Sequence, residues 1–107
     1  ALVLGFTFKE NCSDTRNTKV IDVVNELKEF GIEVDVYDPY AYHDKVQAEY
    51  GISLLASQPD VRRYDGIILA VAHDVFKQID FSFVRNQPTV LFDVKGFFPK
   101  ELVHGRL

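Results

Sequence analysis

Residues 2–8 read LVLGFTF, a short and nearly continuous apolar run that passes directly into a polar loop. A run of this length predicts a β-strand buried on both faces, as in a parallel sheet. From residue 18 to residue 30 the apolar side chains recur at helical spacing, which predicts a helix with one apolar stripe. Asn17 or Thr18 can cap the start of this helix, and Gly31 stands where a left-handed C-terminal cap is expected.

The same alternation of strand and helix continues along the chain. Apolar and β-branched runs predict strands at 32–37, 66–72 and 89–94. Shorter periodic stretches predict helical segments at 43–50, 61–64 and 73–79, a strand or extended segment at 52–55, and a mixed tail at 96–107. Strands that alternate with helices predict right-handed crossovers and a parallel sheet. The expected fold is one Rossmann-like, three-layer α/β domain over residues 1–107, with a mainly parallel sheet and helices on both faces.

Composition excludes several classes of function. The 107 residues carry a net charge of -4, and the basic residues are scattered, which argues against nucleic acid as the main partner. The longest apolar runs are too short to span a bilayer, and no signal peptide is visible, so we expect a cytoplasmic protein without membrane contact. Because the sequence starts at Ala1 directly before a predicted core strand, we expect a fragment of a longer chain.

A ligand site is expected beyond the carboxyl ends of the predicted strands, where open parallel sheets bind their ligands. The loop after the first strand leads into a helix N-terminus, which favours anions. This loop region contains Lys9, Arg16 and Lys19, and Lys95 follows the last long strand. Cations that meet on one edge of an otherwise acidic protein indicate a small phosphorylated ligand.

Other chemistry is disfavoured. No G-x-G-x-x-G or G-x-x-x-x-G-K-[ST] motif occurs, so the pattern predicts no dinucleotide site. Asp38 ends the second strand, where dinucleotide-binding folds place a ribose-binding carboxylate, but a turn-forming Asp-Pro is the default interpretation. Cys12 precedes a helix but has no histidine near it in sequence, so we predict no catalytic role. The three histidines lack metal-ligand spacing, so we predict no metal site. For His73 a satisfied structural role is the default interpretation, with contact to a ligand at the site edge as the open alternative.

Several motifs resemble one enzyme family. Residues 5–11 read GFTFKEN and residues 14–17 read DTRN, which resembles the G-x-x-F-K-x-x-x-x-D-x-R-x-S signature of the UDP-glucose and GDP-mannose dehydrogenases. Residues 36–39 read VYDP, similar to that family's Y-D-P, and residues 93–96 read DVKG, similar to its terminal D-x-[KR]-x stretch. In detail the first motif looks more like the bacterial UDP-N-acetylhexosamine dehydrogenases.

The resemblance implies that residues 1–107 are the C-terminal UDP-sugar-binding domain of a nucleotide-sugar 6-dehydrogenase. Such enzymes oxidise the C6 alcohol of a UDP-hexose or UDP-N-acetylhexosamine to the uronic acid, for surface polysaccharide. NAD, the hydride acceptor, is bound by an N-terminal domain, and the catalytic cysteine also lies upstream. A central helical domain makes the dimer contacts of the oligomeric parent. By the resemblance, Phe8, Lys9 and Lys95 bind the UDP-sugar.

The fragment alone is expected to bind substrate without catalysing its oxidation, and to contain no catalytic, cofactor-binding or metal-binding residues. Asp14 and Arg16 are expected to pair and stiffen the loop after the first strand. One alternative stays open: a domain that serves mainly inter-domain or subunit assembly and has no nucleotide affinity of its own. A receiver-type regulatory domain is disfavoured, because that class needs an acidic cluster where this chain has Phe8 and Lys9.

Overall fold

Parallel strands form the sheet, in the order β2-β1-β3-β4-β5 within the residues that the structure describes. In this computed structural model those residues are 1–7, 11, 13–15, 18–85, 87–93 and 105–106. The strands are β1 (Leu2–Leu4), β2 (Asp35–Tyr37), β3 (Gly66–Leu69), β4 (Val90–Asp93) and β5 (Gly105–Arg106). The register aligns Val3 of β1 with Val36 on one side and Ile68 on the other. The fold is therefore the expected Rossmann-like parallel sheet.

Helices cover both faces of this sheet. The α-helices are α1 (Val20–Glu29) and α2 (His43–Tyr50), and three 3-10 helices span Val61–Arg63, Asp74–Gln78 and Ser82–Arg85. Val3 of β1 points to the face that packs against Val24 of α1 and Val46 of α2. Leu2 and Leu4 point to the other face, where the 3-10 side chains pack. Because all three β1 side chains are fully buried, β1 is the centre of the core.

The first helix begins and ends close to the predicted positions. Lys19 takes the N-cap position without a side-chain cap, and the hydroxyl of Thr18 accepts the N–H of Val20 at 3.2 Å. At the other end, the Gly31 N–H donates to Lys28 O at 2.9 Å and the Ile32 N–H donates to Leu27 O at 3.1 Å. These two bonds form a Schellman motif around Gly31, whose φ is 79°.

Gly31→Ala should cost about 1 kcal/mol, because alanine is disfavoured in the left-handed region that the Schellman motif requires. A Cβ at this position would meet nothing within 4 Å, so the cost is conformational rather than steric. Gly31→Asn is the control, because asparagine tolerates this region better. Urea denaturation of the three proteins should give the highest free energy of unfolding for glycine, an intermediate value for asparagine and the lowest for alanine. Equal stability for alanine and glycine would contradict the capping role.

The strands are shorter than the sequence predicted. Residues 2–8 were expected in one strand, but β1 ends at Leu4 because Gly5, with φ 98°, turns the chain out of the sheet. The second strand begins at Asp35 rather than at 32, because Ile32 still closes the Schellman motif. The helix at His43–Tyr50 is confirmed, with Gly51 left-handed at its end. The helix predicted at 73–79 is a 3-10 helix that spans Asp74–Gln78.

Residues 52–55 run along the outer edge of β2 without forming a regular strand. The Leu55 N–H donates to Val36 O at 2.9 Å, while Ile52 and Leu54 are buried against the α1 face. This confirms the extended alternative for the segment. None of the helices among the described residues has the length and apolar character needed to cross a bilayer.

Candidate functional site

The strand order reverses between β1 and β3, and this switch point is where open parallel sheets bind ligands. Within the described residues, three segments leave the sheet there: residues 5–7 after β1, Asp38 after β2, and residues 70–74 after β3. We take this carboxyl edge of the sheet as the candidate site.

Gly5 allows the segments after β1 and β3 to touch. A Cβ on Gly5 would stand 2.6 Å from Val71 Cβ and 2.8 Å from Val71 N. The backbone is fixed on both sides, since the Gly5 N–H donates to Tyr37 O at 2.9 Å and the Ala70 N–H donates to Leu4 O at 2.9 Å. Only glycine fits a left-handed backbone at this distance.

Asp38 holds the candidate site together from within. The side chain is fully buried, and its Oδ2 accepts the N–H groups of Phe6 at 2.6 Å and Thr7 at 3.0 Å. Its Oδ1 accepts the Tyr40 N–H at 2.8 Å, which closes an Asx turn. Burial acts to raise the pKa of Asp38, but the hydrogen bonds from His73 and from the Phe6 and Tyr40 N–H groups outweigh it and hold the pKa below its ordinary value. The turn interpretation of Asp38 is confirmed.

His73 joins the same network from the segment after β3. Its Nε2 lies 2.9 Å from Asp38 Oδ2 and 3.0 Å from Thr7 Oγ1, and its Nδ1 accepts the Asn11 N–H at 2.8 Å. The ring is fully buried, which confirms the satisfied structural role. Sequence reasoning missed that Thr7, Asp38 and His73 form one unit. The available signal was that Asp38 and His73 each follow a predicted strand and that Thr7 stands near the end of the first one, so that all three meet at one edge.

Of the predicted site residues, Asp14 and Lys19 fall within the described part of the chain: Asp14 is half-buried, and Lys19 is exposed at the N-cap of α1. Phe8, Lys9, Arg16 and Lys95 lie outside the described residues, so their roles and the Asp14–Arg16 pairing stay predictions. Near Asp14, the hydroxyl of Tyr50 donates to the Thr15 carbonyl at 2.7 Å. Burial, and then the negative charges of Glu49 and Asp14, raise the pKa of Tyr50. The last residue of α2 is thus hydrogen-bonded to Thr15, in the segment that precedes α1.

A groove lies at the opposite, amino edge of the sheet and has a volume of about 840 Å³. Its lining includes Leu27, Ile32, Ile68 and Phe92, with Tyr64 at its side. The Tyr64 hydroxyl donates to Asp35 Oδ2 at 2.7 Å, and burial together with this bond raises the pKa of Tyr64 to about 12. The groove has the volume and the carboxyl edge has the convergent polar groups. Convergent polar groups fix a ligand's orientation, and the switch point lies at the carboxyl edge, so this edge is the better candidate for a ligand site.

The sequence matches a known family over residues 2–100: the UDP-glucose/GDP-mannose dehydrogenase family, UDP binding domain. It is 45% identical over 109 aligned residues to a UDP-N-acetyl-D-glucosamine 6-dehydrogenase of Salmonella typhi, covering 99% of this chain and 25% of the relative. It is 48% identical to the protein of the same name from Pseudomonas aeruginosa, covering 99% of this chain and 26% of the relative. The chain therefore spans about a quarter of the length of these curated relatives.

The fold is similar to part of a solved UDP-glucose dehydrogenase from Pyrobaculum islandicum, with a TM-score of 0.73 and 26% identity. The superposition covers 98% of this chain and 24% of that structure. A ternary complex of GDP-mannose dehydrogenase from Pseudomonas aeruginosa gives a TM-score of 0.70 at 25% identity, over 97% of this chain and 27% of that structure.

Proposed function

This chain belongs to the UDP-glucose/GDP-mannose dehydrogenase family, UDP binding domain, and we propose that it binds the UDP portion of a UDP-sugar at the carboxyl edge of its sheet. The parent protein would oxidise the C6 alcohol of a UDP-hexose or UDP-N-acetylhexosamine to the uronic acid, with NAD as acceptor. The observation that carries the proposal is the family match over nearly the whole chain, joined to a switch point with convergent polar groups.

The positions of the two lysines along the fold support a shared phosphate ligand. Lys9 lies five residues after Leu4, the last residue of β1, and Lys95 lies two residues after Asp93, the last residue of β4. β3 separates these strands, so the two loops leave the sheet roughly 10 Å apart, on either side of the end of β3. We therefore propose that the diphosphate binds near the end of β3, with Lys9 and Lys95 as donors of charge-assisted hydrogen bonds.

NAD does not fit this domain at the position where dinucleotide-binding folds hold the ribose. That role needs a free carboxylate after the second strand. Here both oxygens of Asp38 are already used by backbone N–H groups and by His73, and the side chain is fully buried. We propose that the cofactor is bound by another domain of the parent chain, and that this domain alone does not catalyse the oxidation.

Assembly of the parent protein is the second candidate function, and the amino-edge groove favours it. Phe30 and Val90 are 79% and 50% exposed near this edge, and they add apolar surface beside the groove. A domain that serves only assembly would present this apolar surface and would have no measurable affinity for UDP.

Titration of the chain with UDP should show saturable binding, weakened about tenfold or more by Lys9→Ala and likewise by Lys95→Ala. A hydrogen bond to a charged group is worth about 1.5–3 kcal/mol, which corresponds to at least this factor. Calorimetry or NMR measures it. Lys28→Ala is the matched control, because this exposed lysine lies in the last turn of α1, at the amino edge.

Two outcomes would overturn the proposal. The first is no response to UDP, UDP-sugars or GDP-sugars at roughly millimolar concentration, the affinity floor of weak specific binding. The second is a clear preference for NAD over uridine nucleotides. Either result leaves assembly as the better account.

A further inference from the structure

His73 bridges the two ends of the segment that follows β1. Thr7, before residues 8–10, lies 3.0 Å from His73 Nε2 through its hydroxyl oxygen. Asn11, after them, donates its N–H to His73 Nδ1 at 2.8 Å. A single buried imidazole therefore holds both sides of the three-residue stretch that contains Lys9.

The contacts of the imidazole fix which nitrogen carries its proton. A backbone N–H can only donate, so the Nδ1 that receives the Asn11 N–H is unprotonated. Nε2 lies 2.9 Å from the carboxylate oxygen Oδ2 of Asp38, which can only accept, so Nε2 carries the proton. The neutral Nε2–H tautomer alone satisfies both neighbours.

The ring is also held in place by its packing. Its centroid lies 4.6 Å from that of Tyr40 and 5.4 Å from that of Phe76. Packing on two sides, with a hydrogen-bonding partner at each nitrogen, leaves the imidazole one orientation.

A second contact closes the same end of the segment. Asn11 Nδ2 donates to Asp74 Oδ2 at 3.2 Å, and the Asp74 N–H donates to Asn11 Oδ1 at 2.9 Å. Asn11 itself has φ 56°, a left-handed conformation that the surrounding contacts must maintain. Two consecutive residues after β3, His73 and Asp74, therefore fix Asn11 through its backbone and its side chain.

We infer that His73 is a positioning residue for nucleotide binding: it fixes Thr7 and Asn11, the residues on either side of the stretch that contains Lys9, without touching the ligand itself. This rests on the proposed function, since it assigns a role to the loop that the function requires. The two ring nitrogens hold different ends of this loop. Nε2 anchors the loop's beginning through Asp38 and Thr7, and Nδ1 anchors its end through Asn11.

Two substitutions separate these anchors. His73→Asn places an amide oxygen where Nδ1 stands and retains an acceptor for the Asn11 N–H. His73→Gln places an amide N–H near the position of Nε2 and retains a donor to Asp38, but it loses the acceptor for Asn11. UDP affinity by calorimetry and stability by urea denaturation are measured on both. The beginning of the loop keeps a second anchor in both variants, because the Thr7 N–H donates to Asp38 Oδ2 at 3.0 Å. The Asn11 N–H is held by His73 Nδ1. We therefore expect both variants to lose stability, but only His73→Gln to weaken UDP binding, by tenfold or more, with His73→Asn within about threefold of wild type.

Equal UDP affinities for folded His73→Gln and wild type would overturn the inference, as would equal losses of affinity in the two variants. A wild-type chain that does not bind UDP would instead overturn the proposed function, and the inference with it. If either variant fails to fold, NMR of the wild type decides. The inference requires a hydrogen-bond scalar coupling between the Asn11 amide and His73 Nδ1, present without UDP and retained at saturation. Absence of this coupling in the free protein would show that the loop is not prepared by His73.

Discussion

Gly5→Ala is expected to destabilise the domain by about 2–5 kcal/mol, a large part of the roughly 5–15 kcal/mol that folds a typical domain. Two costs add here. A left-handed backbone costs a residue with a Cβ about 1–2 kcal/mol, and overpacking typically costs about 1–3 kcal/mol. The new Cβ would stand 2.6 Å from Val71 Cβ and 2.8 Å from Val71 N. The backbone nitrogen cannot easily retreat, because the Val71 N–H faces Leu4 O at 3.3 Å.

Gly51→Ala is the matched control for this experiment. Gly51 also has a positive φ, 69°, but a Cβ there would meet nothing within 4 Å. The difference between the two variants in urea denaturation isolates the contact with Val71. If Gly5→Ala costs no more than Gly51→Ala, the close approach of the segments after β1 and β3 is wrong.

Asp38→Asn is expected to cost about 3–5 kcal/mol, because it removes a buried carboxylate that accepts several hydrogen bonds, each worth about 1.5–3 kcal/mol when the acceptor is charged. The carboxylate accepts from the N–H groups of Phe6, Thr7 and Tyr40 and from His73. An asparagine has only one side-chain oxygen to accept from these four donors. Its amide NH₂ group would face the remaining donors, and none of them can accept its hydrogen bonds. Buried donors left unpaired carry their full desolvation cost.

The pH dependence gives a second signature of Asp38. Its pKa in the folded protein is lower than the ordinary value of 3.8. The carboxylate therefore contributes stability that is fully present above pH 3.8, and that is lost as the pH falls through the lower folded-state pKa. The stability difference between wild type and Asp38→Asn should thus shrink below about pH 4. A difference that stays constant down to pH 2 would contradict the lowered pKa.

Asp60→Asn is the matched control. Asp60 also accepts the N–H of the residue two positions later, Arg62, at 3.1 Å, as Asp38 does with Tyr40. Its side chain is 46% exposed, however, so water can replace the lost partner. We expect Asp60→Asn to remain close to wild type, which would attribute the effect at Asp38 to burial rather than to the Asx turn.

Much of the fold could be predicted because local signals and the final structure agree. The helix His43–Tyr50 and its left-handed Gly51 appear at the predicted residues. The sequence predicted strands that are too long, because a run of apolar residues indicates that the residues are buried and does not show where strand pairing ends. Phe6 and Val71 are buried at 0% and 2% exposure, yet both lie beyond the ends of their strands. β5 was missed, since the two residues Gly105–Arg106 are too few to show any periodicity.

The candidate site was predictable in place but not in its internal contacts. The carboxyl edge follows from strands that alternate with helices. The contact of Asp38 with His73 joins residues 35 positions apart and depends on β2 and β3 lying on either side of β1. No local pattern encodes that order. Phe8, Lys9, Arg16 and Lys95 came from the family resemblance, and the titration with UDP tests the two lysines.

The extended segment beside β2 has a consequence for self-association. An open sheet edge can template pairing with another chain and so promote aggregation. In β2, Asp35 and Tyr37 bond toward β1 through the Asp35 N–H and Tyr37 O, so the outward-facing backbone groups are those of Val36. Its carbonyl already accepts the Leu55 N–H. The segment 52–55 therefore covers this edge of the sheet and occupies the Val36 carbonyl that a strand from another molecule would need for pairing.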